Sequence, residues 1–242
     1  MRTVILSDIH GNRQALEAVR DCGVRLGVDS WVCLGDIVGY GADPSFCIDG
    51  IRALSSQVVL GNHDAAAIGL QDLQYFNEYA RRAVEWTAAR LTEAEDAYLR
   101  RLPLTLECGD ALCVHAEPAR PQEWFYVHSR QDARVVLENM ACRLCFIGHT
   151  HMPFICTLSG EGLEMTGSEE IVAVAADQSY LINVGSVGQP RDGDPRACFL
   201  LWDEEENMLE LLRTDYDIAG AQESILDAGL PPFLAQRLAI GQ

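Results

Sequence analysis

Three times in the first 64 residues a short apolar run ends abruptly in ligand-type side chains, and helix-forming sequence follows each time. Arg2 to Leu6 gives way to Asp8-Ile9-His10-Gly11-Asn12, Trp31 to Leu34 to Gly35-Asp36, and Val58 to Leu60 to Gly61-Asn62-His63-Asp64. Apolar residues then recur at helical spacing, as at Leu16, Val19, Cys22 and Leu26. Repeated strand, loop, helix units demand parallel strands joined by crossovers. Such sheets bind ligands at the C-terminal ends of their strands. The chain is thereby constrained to an α/β fold whose chemistry gathers along one edge.

Helix starts carry their own signals. Asn12 is placed to cap the first helix, and Asp43-Pro44 opens the second with a cap followed by proline. Helices are expected over 74–91 and 92–101, the latter opened by a Thr92/Glu95 capping box. The second half changes character. Leu104 to Cys108 and Ala111 to His115 flank Gly109-Asp110, which predicts a type I′ hairpin. A helix near 130–141 precedes the apolar run Arg143 to Ile147 and then Gly148-His149-Thr150-His151. Strands are expected at Phe154 to Leu158, Glu170 to Ala175, Tyr180 to Val184, Ala197 to Trp202 and Met208 to Arg213, with an exposed loop over 159–169. Two short helices fill Ile218 to Ile240. No repeat, low-complexity tract or linker interrupts the 242 residues, which predicts a single domain over 1–242.

Five of the six histidines, His10, His63, His115, His149 and His151, stand at the ends of apolar runs near Asp8, Asp36 and Asn62 in the motif series. A lone histidine on an apolar run is ordinarily a satisfied core residue. Five in this company form a set of nitrogen and oxygen donors suited to Mn, Fe, Zn, Co or Ni, and a carboxylate can bridge two ions. Composition bears on the same point. All 18 basic residues are arginine, with no lysine. This excludes chemistry that depends on an ε-amine, such as a P-loop lysine, a kinase lysine, a pyridoxal Schiff base or a lysine nucleophile. Phosphate, if handled, must meet Arg, His, backbone amides or metal ions.

Taken in order, Asp8-Ile9-His10, Gly35-Asp36, Gly61-Asn62-His63-Asp64, Val114-His115 and Gly148-His149-Thr150-His151 resemble the motifs of the calcineurin-like metallophosphoesterase superfamily, and small prokaryotic phosphodiesterases within it. The resemblance extends through Asn183-Val184-Gly185-Ser186. It implies an α/β fold, a four-layer αββα sandwich of two mixed β-sheets flanked by helices. It also implies two divalent metal ions, Mn2+ foremost, with Fe, Zn, Ni, Co or Mg as alternatives. Asp8, His10 and His151 would bind one ion, Asn62, His115 and His149 the other, and Asp36 both. Two ions about 3.5–4 Å apart hold a bridging water, lower its pKa into the neutral range and place the hydroxide in line with phosphorus. They also neutralise the phosphoryl oxygens, the task a lysine would otherwise perform.

By the same resemblance His63 is the proton donor to the leaving oxygen, against a role in orienting Asn62 or filling the site. Asp64 either orients His63 or braces the loop, and bracing is favoured. Asn62 and His63 are also expected to contact substrate. The glycines before Asp36, Asn62 and His149 read as points of sharp turn and close approach. The implied activity is hydrolysis of a phosphodiester. A phosphomonoesterase or dinucleoside polyphosphate hydrolase is the alternative, and a non-catalytic metal-binding scaffold is a reading of another class.

Two positions depart from the pattern. Gly35 to Pro44 looks like the Gly-Asp-x-Val-Asp-Arg-Gly segment of diadenosine tetraphosphatases and protein Ser/Thr phosphatases, but Gly39 stands for its Asp and Tyr40 for its Arg. The first change removes a carboxylate that would pair with the catalytic histidine, and the second removes a phosphate clamp. Both favour a diester, which carries less charge. Arg191, in Gly188-Gln189-Pro190-Arg191-Asp192-Gly193, reads as a replacement phosphate contact or as a surface arginine paired with Asp192 or Asp194. His128 matches no metal motif and reads as structural or as pocket wall. Phe76, Tyr79 and Trp86 read as an aromatic helical stripe for the core or a homodimer contact rather than a base platform.

A net charge of −18 and a pI near 4.6 argue against nucleic acid and anionic membrane as partners. A small-molecule phosphodiester or nucleotide-like substrate is expected instead. No apolar stretch reaches spanning length and no signal-peptide pattern opens the chain. Nine cysteines, an odd number set mostly in apolar runs, read as reduced thiols of a cytoplasmic protein. The Cys142/Cys145 pair reads as core rather than as a metal or redox site.

Overall fold

A computed structural model describes residues 1–167 and 171–242. The first half runs β1 (Arg2–Leu6), α1 (Arg13–Leu26), β2 (Ser30–Cys33), α2 (Pro44–Leu54), β3 (Gln57–Val58), α3 (Asn62–Ala67), α4 (Glu78–Ala88) and α5 (Glu93–Leu99). There follow β4 (Thr105–Cys108), β5 (Ala111–Val114), α6 (Arg130–Asn139), β6 (Leu144–Ile147), β7 (Phe154–Ser159), β8 (Gly162–Thr166), β9 (Ile171–Ala173) and β10 (Ser179–Asn183). The chain closes with β11 (Ala197–Asp203), β12 (Met208–Thr214), α7 (Ile218–Asp227) and α8 (Pro232–Leu238).

These strands form two six-stranded sheets, in the orders β3-β2-β1-β11-β12-β9 and β4-β5-β6-β10-β7-β8. Both are mixed. In the first, β1, β2 and β3 are parallel while β11, β12 and β9 pair antiparallel; in the second, β6 lies parallel to β5 and β10.

The two-residue period of the strands builds the layers. On β1, Val4 and Leu6 turn toward α1 and α2 while Ile5 turns toward the other sheet. On β6, Leu144 and Phe146 join that inter-sheet core, and Cys145 and Ile147 meet Val136 and Leu137 of α6. β11 repeats the pattern, with Phe199 and Leu201 against the helices and Cys198, Leu200 and Trp202 between the sheets. The order helix, sheet, sheet, helix is therefore the expected four-layer sandwich. Each fully buried large side chain, such as Phe146 or Phe199, contributes about 1.5–3 kcal/mol. A further cluster packs α4, α7 and α8 around Tyr40.

Several local expectations need correction. The 159–169 stretch is not all loop, because 162–166 pairs with β7 as β8; Ser168, Glu169 and Glu170 lie outside the described residues. The 74–91 segment is a 3-10 turn at Leu73–Tyr75 followed by α4, so Phe76 is not helical and the three aromatics form no continuous stripe. Instead Phe76 packs edge-on against His63, Tyr79 stacks on Phe233, and Trp86 Nε1 donates to the Ala228 carbonyl. In the β4–β5 hairpin Gly109 has φ +63° while Asp110 is not left-handed, the signature of a type II′ rather than a type I′ turn. Asn12 and the Thr92/Glu95 box cap as expected, but Asp43 makes no side-chain cap and Pro44 alone marks that start. All nine cysteines are free, with Cys145 in the α6 core and Cys142 packed at its margin.

Candidate metal centre

The parallel strands deliver the motif residues where expected. Asp8 and His10 follow β1, Asp36 follows β2, Asn62 opens α3 after β3, His115 follows β5, and His149 and His151 follow β6. The backbone there is bent out of its ordinary range. Asp8, His10, Asp36, His149 and His151 all have φ between 51° and 67°, as do the adjoining Tyr40 and Trp124. Among the described non-glycine residues only Asn207 shares that conformation away from the site. Each left-handed residue costs roughly 1–2 kcal/mol, and inter-strand bonds hold them there, Asp8 N to the Gly35 carbonyl (3.1 Å) and His10 N to the Asp36 carbonyl (2.9 Å). The glycines act mainly by close approach: a Cβ at Gly61 would overlap the Asp36 carboxylate, and one at Gly148 would overlap Ser7 and Asp8. Gly35 (φ +91°) supplies the one sharp turn among the three.

Three imidazoles are turned inward by the same device. Nδ1 of His10, His115 and His151 donates to the backbone carbonyls of Val38 (3.1 Å), Leu34 (2.8 Å) and Gln189 (2.6 Å), which aims each Nε2 into the centre. Burial keeps His10 and His151 neutral, so their Nε2 atoms carry lone pairs. Those lone pairs face each other at 3.0 Å, with Asp8 Oδ1 3.8 Å from one and 3.2 Å from the other. Asp8 Oδ1 is buried and has no hydrogen-bond donor among the described residues. Converging lone pairs and an orphaned carboxylate oxygen fit a divalent cation. A second group, Asp36, His115 and His149, lies beside it. There Asn62 Oδ1 is 3.1 Å from His115 Nε2, and His149 Nε2 donates to the Trp124 carbonyl (3.0 Å), leaving Nδ1 as its ligand atom.

Asp36 lies between the groups. Its Oδ2 is 3.6 Å from His10 Nε2 and 3.4 Å from His115 Nε2, while Oδ1 accepts from His63 N (2.8 Å). Burial alone would raise the Asp36 carboxyl and lower His115. The close pairing of the two outweighs it, holding Asp36 well below the usual carboxylate range and pushing His115 up to about 9.

His63 is wedged between the rings of Tyr40, His10 and Phe76, at centroid distances of 4.5, 4.8 and 4.9 Å. Burial, aided by the charge of Arg191, brings it down to about 4, and its Nδ1 has no partner among the described residues. Gly39 adjoins that atom, and a Cβ there would lie 2.5 Å from it. Asp64 does not reach the ring. Its carboxyl accepts from Val38 N (3.0 Å) and Gly61 N (3.2 Å), which ties two loops together, and burial followed by the neighbouring Asp36 pushes it up to about 7.

Arg191 forms no ion pair among the described residues. Asp192 is taken by Arg213 and Asp194 by Arg196. The Arg191 guanidinium instead bonds Tyr40 and Gln189 at the rim of the centre. On the other side a cavity of about 460 Å³ opens from Asn62, His63 and His149 between aromatic walls that include Tyr75, Phe76 and Trp124. His128 stays outside it, stacked on Tyr126, which stacks in turn on His149.

Several contributors escaped the sequence reading. Trp124 lies in an irregular loop with no periodicity to mark it, yet its carbonyl fixes His149 and its Nε1 donates to Gln71 across the cavity mouth (3.2 Å). Asn183 belongs to the resemblance but carried no role. Its amide donates to the Gly148 carbonyl (2.7 Å) and Thr150 Oγ1 (2.9 Å), bracing the loop of both histidines. Ser186 does the same for Asp8 through its carbonyl (2.8 Å).

A sequence profile of the calcineurin-like phosphoesterase superfamily domain matches residues 1–207. An uncharacterised protein of Methanocaldococcus jannaschii is 38% identical over 242 residues, covering 98% of this chain and 97% of its own. The crystal structure of a metallophosphoesterase from Sphaerobacter thermophilus is 40% identical with a TM-score of 0.87, covering 100% of this chain and 99% of that one. A hypothetical protein from Pyrococcus horikoshii, 19% identical, shares the fold with a TM-score of 0.81 over 100% of this chain and 98% of its own. With the motif residues of both sheets gathered at the ends of their strands and the profile spanning most of the sequence, the chain belongs to the calcineurin-like phosphoesterase superfamily.

Proposed function

We propose that this protein is a cytoplasmic phosphodiesterase of small, nucleotide-like molecules that works with two divalent ions, Mn2+ foremost. The observation that carries the reading is Asp36 Oδ2, one carboxylate oxygen within 3.6 Å of a ligand nitrogen from each group. Asp8, His10 and His151 would hold one ion, Asn62, His115 and His149 the other, and Asp36 would serve both. When bound, the ions activate water at neutral pH and offset phosphoryl charge.

The protein's own side chains do the rest. Asn62 and His63 face substrate from the floor of the cavity, and His63 passes a proton to the leaving oxygen. Its neutral state in the free protein suits an anionic substrate, whose arrival favours the protonated ring. Asp64 keeps the loops of His63 and Val38 in register. The cavity supports a diester with one flat, uncharged organic group: its walls are mostly aromatic and amide side chains, and Glu123 is the only Asp, Glu or Arg among the described residues that line it. A dinucleoside polyphosphate would bring further phosphates to walls without a cation.

The test is turnover by purified, metal-reconstituted protein on an aryl phosphodiester, the matching monoester, a cyclic nucleotide and a dinucleoside tetraphosphate. The diesters should be the better substrates. Higher kcat/KM on the monoester would reject the diester assignment, and silence on all four with each metal would favour a scaffold.

A further inference from the structure

We propose that Arg191 is a phosphate-contacting residue of this site, gripping a non-bridging phosphoryl oxygen, and that Tyr40 is the positioning residue that presents it. The contact would serve any phosphoryl group, so it goes beyond the diester reading and depends on it only for the choice of substrate.

The loop carrying Arg191 is built around a candidate metal ligand. His151 Nδ1 donates to the Gln189 carbonyl, and Arg191 N donates to the His151 carbonyl (3.2 Å). The side chain is then held from one end. Nη2 donates to the Tyr40 hydroxyl (3.3 Å) and to Gln189 Oε1 (2.9 Å), and the guanidinium carbon lies 5.6 Å from the centre of the Tyr40 ring. Both hydrogens of Nη2 are thereby used. Nε is buried without a partner among the described residues, and the nearby carboxylates of Asp192 and Asp194 belong to Arg213 and Arg196. A guanidinium so oriented, with buried N–H left over and no carboxylate within ion-pair distance among the described residues, is poised for an oxyanion.

Its position suits that role. Tyr40 packs 4.6 Å from the His10 ring and 4.5 Å from the His63 ring and also lines the cavity, so the Arg191 guanidinium bonded to its hydroxyl stands at the rim where the His10/His151 group meets the space for the organic group. Tyr40 occupies the place where related segments carry an arginine. Here it supports one brought from a loop 151 residues further on.

Arg191→Ala, Arg191→Lys and Tyr40→Phe would be titrated with inorganic phosphate by calorimetry after metal reconstitution, with bound metal counted and diester kinetics measured in parallel. Arg191→Ala should keep its metals, bind phosphate at least about tenfold more weakly and lose about a hundredfold in kcat/KM. Arg191→Lys keeps charge without the planar fork and should recover only part of the loss. Tyr40→Phe should raise KM about threefold and leave kcat near wild type, since the hydroxyl only orients the guanidinium. Phosphate binding by metal-replete Arg191→Ala within about twofold of wild type overturns the proposal. Should that variant fail to fold, wild-type phosphate affinity in Arg191→Lys overturns it and a clear loss supports it. A wild-type protein that cleaves no diester sinks the proposed function, and the phosphate titration still decides this one.

Discussion

Replacing Gly39 by alanine tests the reading of His63 with a single added carbon. The new Cβ would lie 2.5 Å from His63 Nδ1, 3.1 Å from Cγ and 3.2 Å from its Cβ. Ordinary contact needs about 3.5 Å, so the ring must withdraw by about 1 Å. Tyr40, His10 and Phe76 already press on it, which leaves a tilt within the site as the available response. The φ of +94° adds strain of roughly 1–3 kcal/mol for a residue with a Cβ. Misplacement of a reacting group by about 1 Å costs up to about a hundredfold. Gly39→Ala should therefore lower kcat by one to two orders of magnitude with little change in KM, and metal content should match wild type. The loss should be larger for an alkyl diester than for a nitrophenyl diester, because a poor leaving group needs its proton more. Steady-state kinetics on the two substrates, with metal counted on the same samples, decides the matter. Wild-type kcat on the alkyl diester would refute the reasoning. Gly39→Asp should not rebuild the carboxylate–histidine pair of related enzymes, since its Cβ collides before its carboxylate can reach.

Three further outcomes are expected. His63→Ala should reduce turnover while leaving bound metal largely intact, checked by elemental analysis; loss of both ions would make it a structural residue. Asn183→Ala leaves Gly185 N without its acceptor and removes one of the two donors to the Gly148 carbonyl and one contact of Thr150 Oγ1, and should cost about 3 kcal/mol in denaturant melts; less than about 1 kcal/mol would show that the loop does not depend on it. Glu95 is half of a capping box, and although burial opposes its charge, hydrogen bonds from Ser45 and Thr92 outweigh that and lower its pKa. The cap is thus fully present above the unfolded value of about 4.3 and is lost as pH falls through the lower folded value, so Glu95→Gln should cost about 1 kcal/mol at pH 7 and progressively less in acid. A pH-independent difference would contradict the linkage.

Much of this was legible in the sequence because parallel strands convert chain order into space. Runs such as Arg2 to Leu6 end where the backbone must turn, so Asp8, Asp36, Asn62 and His115 were marked both as strand ends and as donors. What escaped depends on contacts that no local pattern records. The helix at Asn62–Ala67 is buried on every side, so it shows no apolar face to count. Strand 162–166 lies within the Gly- and Glu-rich stretch 159–169 and exists because Phe154–Ser159 pairs with it. Trp124 acts through its carbonyl, which any residue type would offer, and only its left-handed φ of 54° marks it as special. For Arg191 the sequence left a choice between phosphate and aspartate. Arg213 and Arg196, remote or adjacent in sequence, settled the aspartates elsewhere.

The central claim is that Asp36 joins two metal groups into one centre. Counting tightly bound metal in reconstituted wild type and Asp36→Asn, by elemental analysis after gel filtration, tests it most directly. Two ions per chain are predicted for wild type, and one or none for the variant, because the shared oxygen is lost. Two ions retained at full occupancy in Asp36→Asn would contradict the account.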